Sequence, residues 1–223
     1  MKTENKVKVE TNSRSLQVKD MYELKNDELD KILEKEEPEG VEFFLMADER
    51  PYNGIESHRA AILFAMHLVN ENEKQTIKKA EELFGKEYAD RLHLFTYDVS
   101  KAEAKSLDPK ELLFVPKVLR KDYYGNKEYD SDWVPNDENF GKQIPYWYAF
   151  LEPPHGTAYG PEDLRRINAF LFPDGADGLE AYEWTTDWSD VFDDGHEWWG
   201  ASCWSVYDSR RDRYVVLLAS ATD

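Results

Sequence analysis

The chain has 223 residues, of which 41% are hydrophobic and 33% are charged, and its formal net charge is −18 at pH 7. This length and hydrophobic content suffice for a folded globular protein with a sizeable core. The negative charge argues against nucleic acid and anionic membranes as direct partners, because phosphate binding requires Lys or Arg. It favours a cationic protein, a metal ion or solubility alone.

Residues 1–40 are polar and rich in charge, and they end in the run EKEEPEG. We interpret them as a flexible polar leader, with a helix over 20–35 as an option, because they lack the apolar density of a packed segment.

The chain shows no targeting or membrane segment. Its opening, MKTENKVKVE, lacks the apolar run of a signal peptide, and the apolar stretch 60–69 is too short to span a bilayer. The single cysteine, Cys203, cannot form an internal disulfide. These features predict a cytoplasmic protein with no membrane partner.

After the leader, the pattern alternates between strand and helix signals. The apolar run 41–46 predicts a buried strand, and Ser57 is placed to cap a helix that ends near Val69. Apolar residues at three-to-four spacing predict a second helix over 77–88, and alternation predicts a strand over 91–97.

The middle of the chain is turn-rich and polar. Asp108-Pro109 suits the start of a helical turn, 114–124 looks extended, and 125–126 indicates a turn. Farther on, Pro161 is placed in the first turn of a helix that reaches Leu171. The remaining apolar runs predict strands at 144–151 and 179–184 and a closing hairpin formed by 198–207 and 214–219.

These elements predict an α+β or α/β protein, with helices packed against a mixed β-sheet and a C-terminal β-hairpin. We expect residues 41–223 to form a single α+β domain, or two halves that divide near 100–140.

The segment 174–197 is the most distinctive part of the chain, because it holds nine carboxylates and no Lys or Arg. Trp184 and Trp188 lie inside it, and Trp198 and Trp199 follow at once. Dense negative charge beside large flat side chains suits a basic partner or a ligand with a face that stacks.

Two enzymatic interpretations of this region remain open beside simple structure. Carboxylates and an imidazole around Gly195 are suitable metal ligands, but their spacing matches no known loop. Carboxylates beside tryptophans also suit a carbohydrate site, although too many acids are present to choose a catalytic pair. An exposed turn explains the same residues, and we therefore expect no metal and no cofactor.

The main basic cluster near the C-terminus is Arg210, Arg211 and Arg213, on the predicted hairpin turn. Three residues are too few for a nucleic-acid site. Pairing with the acidic segment would neutralise both.

The C-terminal run YEWTTDWSDVFDDGHEWWGASCWSVYD, with RYVVLLASATD at the end, resembles uncharacterised small acidic proteins of Gram-positive bacteria. Some of these resemble immunity proteins of polymorphic toxin systems. The resemblance covers roughly the last 80 residues and implies a binding role without catalytic residues.

The leading hypothesis is a non-enzymatic cytoplasmic binding protein whose acidic, aromatic face engages a cationic protein, such as a toxin. Carboxylates would mimic phosphates, and aromatic side chains would supply the central contacts. The alternatives are a metal-dependent or carbohydrate-directed enzyme that uses 187–197 as a cleft, and a structural domain. The predicted partner-binding residues are Asp187, Trp188, Asp190, Asp193, Asp194, Glu197 and Trp198.

Overall fold

The computed structural model describes residues 19–25, 29, 31–32, 40–123, 125–136, 138 and 141–221. Its centre is a six-stranded sheet with the strand order β1-β2-β8-β7-β6-β3, and a separate two-stranded hairpin is formed by β4 and β5. The strands are β1 (Met21–Glu23), β2 (Glu42–Asp48), β3 (Ala104–Leu107), β4 (Val118–Lys121), β5 (Lys127–Tyr129), β6 (Leu179–Trp184), β7 (Ala201–Asp208) and β8 (Arg213–Ser220).

Helices cover both faces of the central sheet, so the described residues form three layers. The α-helices are α1 (Ile55–Phe84), α2 (Lys86–Ala89), α3 (Pro109–Leu112), α4 (Tyr146–Leu151), α5 (Pro161–Leu171) and α6 (Asp193–Glu197). Short 3₁₀ turns lie at Val99–Lys101 and Asp190–Phe192. One core lies between α1 and the sheet, and a second core lies between the opposite face and the helices α4 and α5.

Strand β8 shows how one segment supplies both cores. Tyr214, Val216 and Leu218 pack in the α1 core, whereas Val215 and Leu217 pack in the α4–α5 core. Successive side chains of a strand point to opposite faces, so a strand covered on both sides needs an apolar residue at nearly every position. The run YVVLLA meets this requirement, and it pairs with β7 on one side and β2 on the other.

The α+β class and the C-terminal hairpin are confirmed. The hairpin joins β7 and β8 in continuous register from Ala201↔Ser220 to Asp208↔Arg213. Every strand pair that the structure describes is antiparallel, whereas the predicted sheet is mixed. The helical turn at Asp108-Pro109, the α5 helix and the strand that ends at Trp184 are also confirmed.

The predicted boundary of the leader is wrong for residues 19–25. Met21 pairs with Asp48 of β2 and is 2% exposed, so this segment extends the sheet as an edge strand and is not part of a helix over 20–35. Much of the predicted leader, including residues 1–18, lies outside the described residues.

The two helices expected over 57–69 and 77–88 are mainly one helix of 30 residues, α1. Gly54 occupies the N-cap position, and Ser57 lies inside the helix, where its hydroxyl accepts a hydrogen bond from the Asn53 amide at 2.9 Å. Within α1, Ala80 is the one buried residue after Val69, so the second half of the helix extends beyond the core. The helix ends at Gly85, whose φ of 85° suits glycine.

Two predicted strands are wrong. The run 144–151 contains the helix α4 in place of a strand. The sequence does not reveal this, because apolar residues that are buried on every side show neither strand nor helix periodicity. The segment 91–97 is irregular apart from one isolated bridge from Tyr97 to Ser189. The Asn70 side chain bonds both the N–H and the C=O of Phe95, at 2.8 and 2.9 Å, and so takes the place of a neighbouring strand.

A chain of hydrogen bonds crosses the α1 core around His58, which is fully buried. Trp184 Nε1 donates to Ser205 Oγ at 2.8 Å, and Ser205 Oγ lies 2.8 Å from His58 Nδ1. His58 Nε2 lies 3.1 Å from the Tyr52 hydroxyl, which bonds in turn to Glu180. Because the carboxylate can only accept, Tyr52 donates to Glu180 and accepts from Nε2, which leaves Nδ1 to accept from Ser205.

Burial holds His58 neutral within this network. Burial lowers its pKa from 6.5 to about 4, although the nearby Glu180 carboxylate favours the charged form. In the unfolded chain the imidazole takes up a proton below pH 6.5, whereas in the folded protein it does so only near pH 4. The unfolded state therefore binds more protons between these two values, and stability falls as the pH falls through this window.

We predict that the free energy of unfolding decreases by about 3 kcal/mol between pH 7 and pH 4 on account of His58, at about 1.4 kcal/mol per pH unit of the shift. The measurement is urea unfolding of the protein and of His58→Gln across this range. The variant should be less stable at pH 7 and show a flatter pH dependence. His155→Gln, at an exposed histidine, is the control and should keep the original slope. Parallel slopes in all three proteins would contradict the assignment to His58.

Candidate partner-binding surface

The second half of the acidic segment, 185–197, lies in the connection between β6 and β7 and is fixed to a distant part of the chain. The Asp190 carboxylate accepts hydrogen bonds from the Thr96 amide and hydroxyl, both at 2.8 Å, and Ser189 Oγ donates to the Thr96 carbonyl at 2.9 Å. Asp98 N donates to the Trp188 carbonyl at 2.8 Å. These contacts hold the acidic segment against residues 96–98.

A shallow surface hollow of about 340 Å³ lies where the two segments meet. It brings together three of the predicted carboxylates, Asp187, Asp190 and Asp193, and adds Asp98 from the other segment. Lys101 is the one basic residue in its lining, and it pairs with Asp98 at 3.5 Å. The hollow therefore carries an excess of negative charge.

The other predicted carboxylates lie outside this hollow. Asp194 is exposed and borders a smaller adjoining hollow of about 150 Å³ with Phe95 and Val191. Glu197, at the end of α6, is exposed as well. Asp187, Asp193 and Asp194 are thus exposed over two neighbouring hollows, whereas Asp190 is half-buried and Glu197 lines neither hollow.

The tryptophans of the segment do not form the exposed aromatic face that we expected. Trp188 is 3% exposed, its ring packs on Phe192 with centroids 5.3 Å apart, and its indole N–H donates to the Thr185 carbonyl. The prediction that Trp188 contacts a partner is therefore wrong, because its faces are used by the α1 core. Trp198 is half-buried against the α4–α5 core.

The arginine cluster pairs with the acidic segment only at its start, at Asp174 and Asp177, and not with the described carboxylates at 187–194. Arg210 and Arg211 pair with Asp174 at 3.4 and 2.7 Å, and Arg211 also pairs with the buried Asp208 at 3.1 Å. Both arginines therefore hold the β7–β8 turn against the loop between α5 and β6. Among the residues placed by the structure, no Lys or Arg forms an ion pair with Asp187, Asp193 or Asp194.

His196 and Gly195 have structural roles. His196 Nε2 lies 2.7 Å from the Thr186 hydroxyl, and no group of three or more His, Cys, Asp or Glu side chains in the described ranges is arranged to hold a metal ion. A Cβ on Gly195 would lie 2.2 Å from the Gly200 carbonyl oxygen. The Gly200 amide also donates a hydrogen bond to the Gly195 carbonyl oxygen at 2.7 Å. Close approach of the two backbones explains the glycine.

Sequence reasoning missed the contribution of Asp98, Lys101 and Thr96 to the surface. They lie about ninety residues before the carboxylates of the hollow, and the two segments are joined by the isolated bridge from Tyr97 to Ser189 and by the hydrogen bonds of Thr96 and Asp98. No periodicity in either segment signals such a contact. The pKa of the Asp98 carboxyl is lowered. The largest cause is the hydrogen bond from the Ser100 hydroxyl, and the Ser100 amide and the nearby Lys101 act in the same direction.

Comparison with protein-family models, with curated proteins and with solved structures finds no match to this chain. In the described part of the chain, no helix has the length and apolar character needed to cross a membrane.

We predict that Trp188→Ala reduces the free energy of unfolding by about 3 kcal/mol or more, because the substitution leaves a cavity in the α1 core. Denaturant unfolding of the free protein measures the loss. Tyr123→Ala, at a side chain that is 96% exposed, is the control and should change stability little. A Trp188→Ala protein as stable as this control would show that the ring is not part of the core.

We also predict that Gly195→Ala lowers the free energy of unfolding by about 1–3 kcal/mol, since the added methyl group forces two backbones apart. Gly160→Ala is a matched control, because no atom lies within 4 Å of its ideal Cβ and its φ is −126°. Thermal unfolding of the two variants gives the comparison. Equal melting temperatures would contradict the close approach.

Proposed function

We propose that this protein is a non-enzymatic binding protein whose acidic surface engages a cationic protein partner, in the manner of an immunity protein that neutralises a toxin. The contact residues are the exposed carboxylates Asp187, Asp193, Asp194 and Glu197, with Asp190 holding the surface against Thr96. The buried Trp188 has no part in the contact, and Trp198 packs half-buried against the α4–α5 core.

The observation that carries this proposal is the contrast between two groups of carboxylates. Asp174 and Asp208 are paired with arginines of the same chain, whereas Asp187, Asp193 and Asp194 have no such cation within the described residues. Clustered charges of one sign raise the potential at a surface and attract a partner of the opposite sign. Such charges mainly accelerate association and select the partner.

An enzyme that uses 187–197 as a cleft has weaker support. The hollow is shallow, and Trp184 and Trp188, the aromatic platforms that a sugar would need, are 0% and 3% exposed. Sugar recognition depends on accessible aromatic faces beside the acids. The positions of these rings therefore favour binding of a charged protein surface over glycoside hydrolysis.

We also propose a cytoplasmic location. Cys203, the single cysteine, is fully buried in the α1 core, and burial raises the pKa of its thiol. An unpaired, protected thiol suits a reducing compartment.

The test is a pull-down from lysate of the source organism, with bound proteins identified by mass spectrometry. The bait variant carries Asp187→Lys, Asp193→Lys and Asp194→Lys. The control carries Glu81→Lys, Glu82→Lys and Asp90→Lys, at exposed acids on and after α1, so the two variants have the same net charge.

We predict that the original protein and the control retain the same basic protein, and that the surface variant loses it. Retention should also fall as salt is raised, because exposed charges are screened within about 8 Å at physiological ionic strength. All three proteins should keep similar melting temperatures. If the two variants retain the basic protein equally, the acidic surface is not the binding site.

A further inference from the structure

A second concave site lies on the opposite face of the sheet from α1, next to the edge strand β3. This cleft has a volume of about 430 Å³, within the range of ligand pockets. It lies between the sheet, α3 and the segments around Trp133 and Ile144. Its main polar and aromatic residues are Lys105, Glu111, Trp133, Tyr146, Glu183 and Trp204.

Three side chains form a row across the sheet on this face. Lys105 of β3 is opposite Glu183 of β6, which is opposite Trp204 of β7. The Glu183 side chain is only 18% exposed, whereas Lys105 is 80% exposed and its Nζ lies 3.9 Å from the carboxylate. Burial raises the pKa of Glu183, and Lys105 and a hydrogen bond from Trp204 oppose the rise.

A carboxylate in this position is incompletely compensated. Removing a charge from water is costly unless a well-placed opposite charge or hydrogen bonds replace the water. Lys105 lies at the limit of ion-pair distance and points largely into solvent. A cationic group entering the cleft would compensate Glu183 more fully, and the exposed Glu111 adds a second negative charge to the lining.

Aromatic rings line the same cleft. Trp133 is half-buried, and its ring is held by Tyr148 and Trp147, with centroid distances of 4.5 and 5.9 Å. Tyr146 is 2% exposed and its ring packs on Trp204 with centroids 6.0 Å apart, so Trp133 is the ring that the lining offers to a ligand. Aromatic faces attract cations, and a planar guanidinium stacks on them better than an ammonium group.

The cleft lies beside a free sheet edge. Strand β3 is the last strand of the central sheet, and no described strand pairs with its outer side. Lys105 and Leu107 of this strand are part of the cleft lining. An extended polypeptide that paired with β3 would place alternate side chains over the cleft, which is a common mode of peptide recognition.

We infer that this cleft binds the arginine side chain of an extended polypeptide segment, with the guanidinium between Glu183 and the Trp133 ring and the segment's backbone along β3. The inference goes beyond the acidic surface and does not depend on it, because none of the residues that line the cleft belongs to that surface.

The test titrates the protein with the peptide acetyl-Ala-Ala-Arg-Ala-Ala-amide and follows the indole N–H resonances by NMR. A second peptide has citrulline, the uncharged isostere of arginine, in the central position, and a third probe is free acetyl-arginine amide. The arginine peptide should bind saturably and at least about tenfold more tightly than either other probe. Absence of saturable binding would overturn the inference. Equal affinity for citrulline would exclude charge recognition, and equal affinity for the free amide would exclude a polypeptide ligand.

Variants assign the binding to the cleft. Glu183→Gln and Trp133→Ala should each weaken the arginine peptide at least about tenfold, and Glu103→Gln, at an exposed acid just before β3, should leave the affinity unchanged. Trp133→Ala alters a half-exposed loop residue, so it remains informative if Glu183→Gln unfolds. Unchanged affinity in a folded cleft variant would overturn the inference.

The two charge-reversal variants described above separate this site from the acidic surface. Both should bind the arginine peptide with the same affinity, since they carry equal net charge and leave the cleft intact. A selective loss in the Asp187, Asp193 and Asp194 variant would place the peptide on the acidic surface and overturn the inference. A failed pull-down together with cleft binding would leave the cleft assignment standing.

Discussion

The structure depends on burial of the β7–β8 hairpin on both of its faces. All eight residues of β7 are buried, and so are the six central residues of β8. Apolar burial contributes roughly 25 cal/mol per Å², so a hairpin covered by helices on both sides supplies much of the driving force for folding. The helix α1 and the pair α4 and α5 exist in their positions because each covers one side of this hairpin. Functional groups are consequently left to the ends of the strands and the free edge of the sheet.

The same constraint explains which elements were predictable. In β8 nearly every central position is apolar, whereas in β7 the apolar residues are interrupted by Ser202, Ser205 and Asp208. A charged turn separates the two runs, so the hairpin could be recognised. The α5 helix could be recognised from Pro161 and its apolar stripe. The run 144–151 could not, because an apolar stretch buried on all sides carries no period. At 91–97 the missing information was a distant side chain, Asn70, which satisfies the backbone of Phe95.

Only part of the candidate surface could be predicted for a similar reason. The sequence shows that Asp187, Asp193 and Asp194 are acidic and close together, but not that Asp98 joins them or that the arginines pair elsewhere. The sequence also cannot show whether Trp188 is a core residue or an interface residue, because a tryptophan beside acidic residues gives the same sequence pattern in either case. In the structure the ring faces the core and the acids face solvent. Glu183 is the opposite case: it lines a cleft in the structure, but a single glutamate in a strand gives no sign of a cleft in the sequence.

The helix α1 extends beyond the sheet that it covers. Its first half is packed into the α1 core, whereas the half that follows Val69 buries only Ala80 and leaves Leu83 and Phe84 74% and 67% exposed. The backbone hydrogen bonds of the two halves therefore open with very different free energies. We therefore expect amide protons near Ile62 to exchange with solvent only on unfolding of the core, and those near Glu81 to exchange through local fraying. One continuous helix thus belongs to two cooperative units of the folding landscape.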